Sequence, residues 1–290
     1  MAVNNSLVAR KNQKVGLTAY LTQDAVKDQI NKVVGGKNGQ RFMSAIISAV
    51  NTNTALQECT NSSILSGALL GESLNLSPSP QLGHYYLVPF NDKNKGKVAQ
   101  FQLGYKGYIQ LAIRSGQYKK LNVLAIKEGE LEYFDPLNED IKINLMVDKW
   151  DEREEAETIG YYSMFELTNG FRKAIYWSKK QMENHAMKYS QGYRAKKGYT
   201  FWEKNFDGMA YKTMLRQLIS KWGIMSIELQ SAFENDMTFT DESGNVNYVE
   251  AEADAIDYEI VEQPEEVQVE KTEDSANEPA TDAKSALFGK

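Results

Sequence analysis

The chain has little of what most enzymes need. Among its 290 residues there is one cysteine, Cys59, and there are two histidines, His84 and His185. A structural zinc site takes four closely spaced Cys or His ligands, which this composition cannot supply. A single cysteine also excludes an intramolecular disulfide and fits a reducing compartment. Long apolar runs are missing too. Mean hydropathy is −0.52, and no stretch approaches the ~20 consecutive apolar residues of a membrane helix. The first residues, MAVNNSLVARKNQKVG, lack the apolar centre of a signal peptide. A cytoplasmic location without membrane contact is the expectation. Gly35-Gly36-Lys37 is a fragment of a phosphate loop without the rest, and no dinucleotide-type glycine cluster follows a strand. Neither ATP-driven chemistry nor a bound cofactor is expected.

The charge that is present is unevenly placed. The net charge of −6 averages two regions. Residues 234–290 hold 17 acidic residues against three lysines, a net −14, which leaves +8 on residues 1–233. A basic body with an acidic tail points to nucleic acid as a partner. The expected organisation is a binding body over 1–233 and a disordered acidic tail over 234–290, a possible docking segment for a partner.

Hydrophobic periodicity gives a coarse plan. Thr22 is placed to cap a helix over Gln23–Val34 that stops at Gly35-Gly36, a second helix runs from Gln40 to Val50, and a third opens at Thr60-Asn61. The region 22–50 is a candidate for subunit contacts. Small residues in the third helix (Ser66, Gly67, Ala68, Gly71) predict close packing. Ser77-Pro78-Ser79-Pro80 is a rigid turn. Period-two patterns then mark strands at His84–Phe90 and Lys97–Leu103, with Ala99, Phe101 and Leu103 on one face and Val98, Gln100 and Gln102 on the other. A short helix over Gly107–Ser115 precedes strands at Tyr118–Ile126, Glu130–Phe134 and Ile141–Val147. Asn169-Gly170 supplies the two positive φ angles of a type I′ turn between strands Ile159–Leu167 and Phe171–Trp177. Ser178 caps a helix over Lys179–Tyr189, and a long helix runs from Asn205 to Lys221. The fold class is α+β: a twisted, mainly antiparallel sheet flanked by helices.

The strongest chemical signal lies in KYSQGYRAKKGYTFWEK, residues 188–204. Lys188, Arg194, Lys196, Lys197 and Lys204 interleave with Tyr189, Tyr193, Tyr199, Phe201 and Trp202. Single-strand binding needs cations for phosphates and flat side chains on which bases stack, each stack contributing about 1–3 kcal/mol. The plainer alternative is a surface loop whose Phe201 and Trp202 plug the core. In the helix that follows, Phe206, Ala210, Met214, Leu218 and Trp222 form a core-facing stripe. Lys204, Lys212, Arg216 and Lys221 read as the opposite, outward face, a candidate phosphate track. A second cluster, GYKGYIQLAIRSG at 104–116, places Tyr105 and Lys106 at a strand-to-helix junction and Arg114 at the helix end, with Lys119 and Lys120 following. An enzymatic alternative also exists. Asp135, Asp140 and Lys142 match the acid and lysine pattern of Mg²⁺-dependent nucleases, although three residues are a short pattern. An RNA-binding or purely structural assembly protein is the remaining alternative.

The order of segments from residue 20 to 233 resembles the RecT family of phage and prophage single-strand annealing proteins. The resemblance rests on Pro80 through Tyr86-Leu87-Val88-Pro89-Phe90, on GYKGYIQLAIRSG at 104–116 and on FDGMAYKTMLRQLISKWG at 206–223. It implies a non-enzymatic protein that coats single-stranded DNA as rings or helical filaments and pairs it with a complementary strand without ATP. It also implies an annealed duplex intermediate, a homo-oligomer, a companion 5′→3′ exonuclease and contact with a host single-strand-binding protein. The residues it singles out are Tyr105, Lys106 and Arg114, then Asp207, Lys212 and Arg216.

Overall fold

In the computed structural model, residues 15–79, 81–92, 95–198, 200–240 and 246–248 are described. The chain opens with helices α1 (Leu17–Leu21), α2 (Asp24–Val34) and α3 (Gly39–Thr52), a 3₁₀ turn at Thr54–Glu58, and α4 (Asn61–Ser73). The hairpin β1 (Tyr85–Asp92) and β2 (Gly96–Leu103) leads into α5 (Tyr105–Arg114) and β3 (Tyr118–Lys127). A ribbon of β4 (Leu131–Asp135) and β5 (Asp140–Ile143) is followed by α6 (Trp150–Glu155), then β6 (Thr158–Leu167) and β7 (Arg172–Ser178). The remainder is α7 (Lys179–Tyr189), α8 (Gln191–Arg194), α9 (Phe201–Lys204), α10 (Phe206–Trp222), α11 (Ile227–Asn235), β8 (Thr238–Thr240) and β9 (Val246–Tyr248).

The expected α+β class holds, with the strands among the described residues divided among three antiparallel sheets: β1-β2-β8-β9, β3-β6-β7 and β4-β5. The first sheet packs on α4, and the small residues of that helix explain how closely. Side chains of Leu87 and Tyr85 occupy the space a Cβ would take at Gly67 and Gly71. Tyr85, Phe101, Leu103, Tyr108 and Leu111 join the helices in one core. The second sheet has two apolar faces, as its alternation requires. Tyr161 and Phe165 meet α10, whereas Tyr162 and Met164 are covered by the β4–β5 ribbon through Leu131, Ile141 and Ile143. Cys59 is buried, and among the described residues no helix is long and apolar enough to cross a membrane.

Several local expectations change. Thr22 does not cap α2; its hydroxyl donates to the Ala19 carbonyl at 3.1 Å, inside the preceding turn, and Gln23 takes the cap position. The Asn169-Gly170 link is not type I′, since Gly170 (φ 89°) has positive φ and Asn169 does not. Leu167 N–H reaches the Phe171 carbonyl at 2.8 Å, so the loop spans three residues and needs left-handed backbone at its last position alone. Strand β2 is not one-sided. Val98, Ala99, Gln100 and Phe101 are all buried, because Gln100 donates to the Met237 carbonyl at 2.6 Å from the segment leading into β8. Strand β5 ends at Ile143, because residues 144–146 turn back to Glu130: Asn144 N–H meets its carbonyl at 2.8 Å and Met146 N–H its carboxylate at 3.1 Å. The fold also continues past Phe233, since Asp236 is buried and Thr238 pairs with Phe101. Of the acidic tail, residues 241–245 and 249–290 lie outside the described residues, as does Pro80.

Candidate nucleic-acid interface

Two stretches far apart in sequence meet at one groove. The first is the strand-to-helix junction at 104–106. Gly104 and Gly107 are required there, because a Cβ at either would collide with the backbone carbonyl of Gly83 or His84. This close approach brings β1 beside the start of α5. The stem of Lys106 and the hydroxyl end of Tyr86 both lie against Gly83, and Lys106 is exposed. Tyr105 is half-buried with its ring edge-on to Tyr211 at 5.5 Å.

The second stretch is α9, a single turn held by a capping box. Glu203 accepts from Gly198 N–H at 2.8 Å, Thr200 N–H at 3.1 Å and the Thr200 hydroxyl at 2.8 Å. The hydrogen bond from Gly198 leads the interactions that hold its carboxyl below the usual range. With the turn fixed, adjacent side chains point opposite ways. Trp202 is 3% exposed and packs on Phe206 with ring centroids 5.1 Å apart, whereas Phe201 is 41% exposed and lies 5.9 Å from the Tyr86 ring. The core-plug alternative therefore holds for Trp202 and fails for Phe201.

Between these stretches are two adjoining hollows of about 190 and 380 Å³ that share Gln102, Phe201, Lys204 and Met209. Tyr86, Gly104 and Tyr105 line the first; Val88, Pro89 and Thr200 line the second. Exposed Lys204 stands over both. A larger hollow of about 520 Å³ lies among α1, α3 and α4 and has no charged residue in its lining. It lacks the chemistry of an anion site. Beside the groove, His84 Nδ1 accepts from Ser77 N–H at 3.2 Å. Burial first, then the positive charges of Arg114 and Lys106, hold His84 below the usual histidine range.

Two expected phosphate ligands are not on an outward face. Lys212 is 4% and Arg216 8% exposed. Asp236 lies between them: Arg216 donates to its Oδ2 at 2.6 Å, and Lys212 Nζ is 3.2 Å from the same oxygen. Leu103 N–H and the Tyr108 hydroxyl complete the cluster, at 2.8 and 3.0 Å from the carboxylate. The cause is that α10 is covered on both sides, by β3, β6 and β7 on one and by α5 on the other. Lys212 still lines the inner end of the groove. Trp222, expected in the core stripe, is 47% exposed with Lys173 Nζ 3.7 Å from its ring centroid. Asp207 accepts from the Tyr161 hydroxyl at 2.6 Å.

The other candidates are scattered. Arg114 donates to the Leu74 and Asn75 carbonyls at 2.7 and 3.1 Å, closing the end of α4. Lys119 and Lys120 flank Glu166 at 2.5 and 3.4 Å. Lys188 sits 4.8 Å from the Tyr189 ring centroid. Arg194, Lys196, Lys197 and Lys221 are exposed, and Tyr199 lies outside the described residues. The nuclease pattern is engaged otherwise. Asp135 accepts from Leu137 N–H at 2.8 Å and Asn138 Nδ2 at 2.6 Å within its own turn, and Lys142 pairs with Glu132 at 2.5 Å. Sequence reasoning missed Tyr86 and Asp236. For Tyr86 the signal was available, since period two puts it opposite buried Tyr85 and Leu87. Asp236 falls in the stretch assigned to the tail.

The model of the RecT family matches residues 40–277. The uncharacterized protein YqaK of Bacillus subtilis (strain 168) is 41% identical over 241 residues, 81% of this chain and 79% of its own. Protein RecT of Escherichia coli (strain K12) is 29% identical over 237 residues, 80% of this chain and 84% of its own. The family match takes in the junction at 104–106, the basic-aromatic stretch and all of α10, and the chain belongs to the RecT family of single-strand annealing recombination proteins.

Proposed function

We propose that the protein binds single-stranded DNA along the groove between β1, α5 and α9 and anneals it to a complementary strand without ATP, acting as an oligomer. The observation that carries this reading is the convergence of Tyr105 and Lys106 with Phe201 and Lys204, nearly a hundred residues apart, on one surface with Tyr86. Lysines at the rim suit phosphates, and exposed rings suit base stacking. Arg194 at the end of α8 and Lys196 and Lys197 after it are exposed cations that precede α9 in sequence. Annealing requires the backbone to be held while base edges stay free for pairing, and phosphate contacts do this because they carry no sequence information. No step needs a nucleophile or a metal. A companion 5′→3′ exonuclease to generate the strand and a host single-strand-binding protein are the partners this role calls for, and the acidic tail is their docking candidate.

The test is binding of a labelled oligonucleotide, alone and with its complement, over a salt series without nucleotide. Expected are steep salt dependence, intact DNA and a protein-bound duplex, with Phe201→Ala and Lys204→Ala both weakened. Unbound DNA, or DNA shortened when Mg²⁺ is added, overturns the reading.

A further inference from the structure

The arm from Tyr133 to Glu155 carries apolar side chains that nothing in the described fold covers. Leu137 is 87%, Val147 62% and Trp150 55% exposed, and Leu145 also faces solvent. Large apolar side chains held out on one arm are a candidate interaction surface, provided the arm is anchored. Here it is. Buried Glu130 accepts from Arg153 at 2.6 and 3.2 Å and from Met146 N–H at 3.1 Å. Arg153 also reaches the Ala125 carbonyl at 2.9 Å and stands 5.3 Å over the Trp150 ring. The ion pair pins the arm to β3 while its apolar side chains stay outside.

The arm's charge identifies what covers it. Residues 148–157 carry six acids against Lys149 and Arg153, a net −4. Asp148, Asp151 and Glu155 have no ion-pair partner among the described residues. Such a face repels a polyphosphate, so its occupant is not DNA. The complementary face is on the chain itself. Residues 24–41, across α2 and the start of α3, carry a net +2. Their Lys32, Lys37 and Arg41 are exposed, with Val33 beside them 48% exposed. Lys32, Lys37 and Arg41 likewise have no ion-pair partner among the described residues. Arm and helices belong to different core clusters, so the two faces are separate surfaces.

We propose that the Tyr133–Glu155 arm docks onto the α2–α3 face of a second copy of this chain. Such a contact is head-to-tail, and repeating it yields a ring or an open helix according to whether the rotation closes. The proposal goes beyond the annealing reading by naming the contact faces, and it does not involve the DNA groove.

The experiment is sedimentation velocity on the full, DNA-free chain over a concentration series. Two reversal variants are used, Asp148→Lys/Asp151→Lys/Glu155→Lys and Lys32→Glu/Lys37→Glu/Arg41→Glu, with circular dichroism to verify folding. The wild-type chain is expected to sediment as species larger than a monomer. Each variant alone should shift assembly to at least tenfold higher concentration, and mixing the two should restore it by swapped charge. Trp150→Ala, which leaves the charge unchanged, should weaken assembly by a similar factor. A monomeric wild type, reversals without effect, or a mixture that stays monomeric would each overturn the proposal. A monomeric wild type would also make a different protein the occupant of the arm. Oligonucleotide binding by the wild-type chain is measured separately. Its loss would sink the annealing reading while leaving the sedimentation result intact.

Discussion

Asp236→Asn removes the carboxylate that faces both Lys212 and Arg216 while leaving an oxygen to accept from Leu103 N–H at 2.8 Å. The change therefore isolates charge from hydrogen bonding. In the wild-type chain two buried cations share one carboxylate. Taking that carboxylate away removes the counter-charge that both cations face, and breaking a buried pair costs about 3–5 kcal/mol. Removing a cation instead should be graded. Lys212→Met leaves a one-to-one pair and should cost about 1 kcal/mol or less. Arg216→Met forfeits bonds to Asp236 and Tyr108 and its packing 5.3 Å from the Phe233 ring, and should cost about 2–3 kcal/mol. Urea unfolding of the full chain measures all three. With a slope near 3 kcal/mol per molar, a 4 kcal/mol loss lowers the midpoint by about 1.3 M. The reasoning fails if Asp236→Asn stays within about 1 kcal/mol of wild type, or if Lys212→Met costs as much. It also fails if Lys212→Met weakens DNA binding severalfold at unchanged stability, because Lys212 would then be a phosphate ligand and not part of a buried core cluster.

Other outcomes follow from the same geometry. Phe201→Ala should lose about 1–3 kcal/mol of single-strand affinity at fixed salt, about 5- to 150-fold, with little change in stability. Trp202→Ala, one residue on, should destabilise the fold by about 3–5 kcal/mol, so equal effects at both positions would contradict their opposite exposures. Lys204→Ala should reduce the log–log salt slope of single-strand binding by about 0.7, the share of one phosphate contact; an unchanged slope would remove Lys204 from the interface. Burial alone would raise the Glu130 carboxyl, but hydrogen bonds from Arg153, Lys127 and Met146 hold it below the ordinary range. Its stabilisation is thus complete above about pH 4.3, the unfolded value, and is lost as pH falls through the lower folded value. Glu130→Gln should flatten that acid limb of the urea midpoint, and parallel limbs would refute the assignment. Gly107→Ala places a methyl group against the His84 carbonyl and should cost about 1–3 kcal/mol in thermal or urea unfolding.

Much of the fold was legible because its signals are local. Ser178 and Gln181 form a capping box at the expected place, with Gln181 N–H 3.2 Å from the Ser178 hydroxyl, and period two located β1, β2, β3, β6 and β7, whereas β8 and β9 fall in the stretch assigned to the tail. What escaped depended on partners distant in sequence. An outward reading of Lys212 and Arg216 follows correctly from helical spacing, but it assumes that the far side of α10 meets water. Asp236, 20 and 24 residues away, supplies the counter-charge that lets both cations be buried. Gln100 misled for the same reason, since its partner is the Met237 carbonyl. In the candidate site, composition flagged the 188–204 stretch without separating Phe201 from Trp202. Only the one-turn helix, fixed by Thr200 and Glu203, assigns one ring to the groove and the other to the core.

That division bears on how an annealing surface can be both firm and permissive. A groove lined by many stacked rings would hold bases too well to release them for pairing, at about 1–3 kcal/mol for each. In this chain most rings of the basic-aromatic region are engaged with one another: Trp202 with Phe206 and Tyr193, and His185 with Trp177 and Tyr189. They form a rigid floor under α9, and Phe201 and half-buried Tyr86 and Tyr105 remain to meet a strand. In the proposed annealing role, affinity then has to come mainly from exposed lysines and arginine acting on phosphates. Such a grip is uniform along a strand, weakens with salt and leaves base edges accessible to a complement.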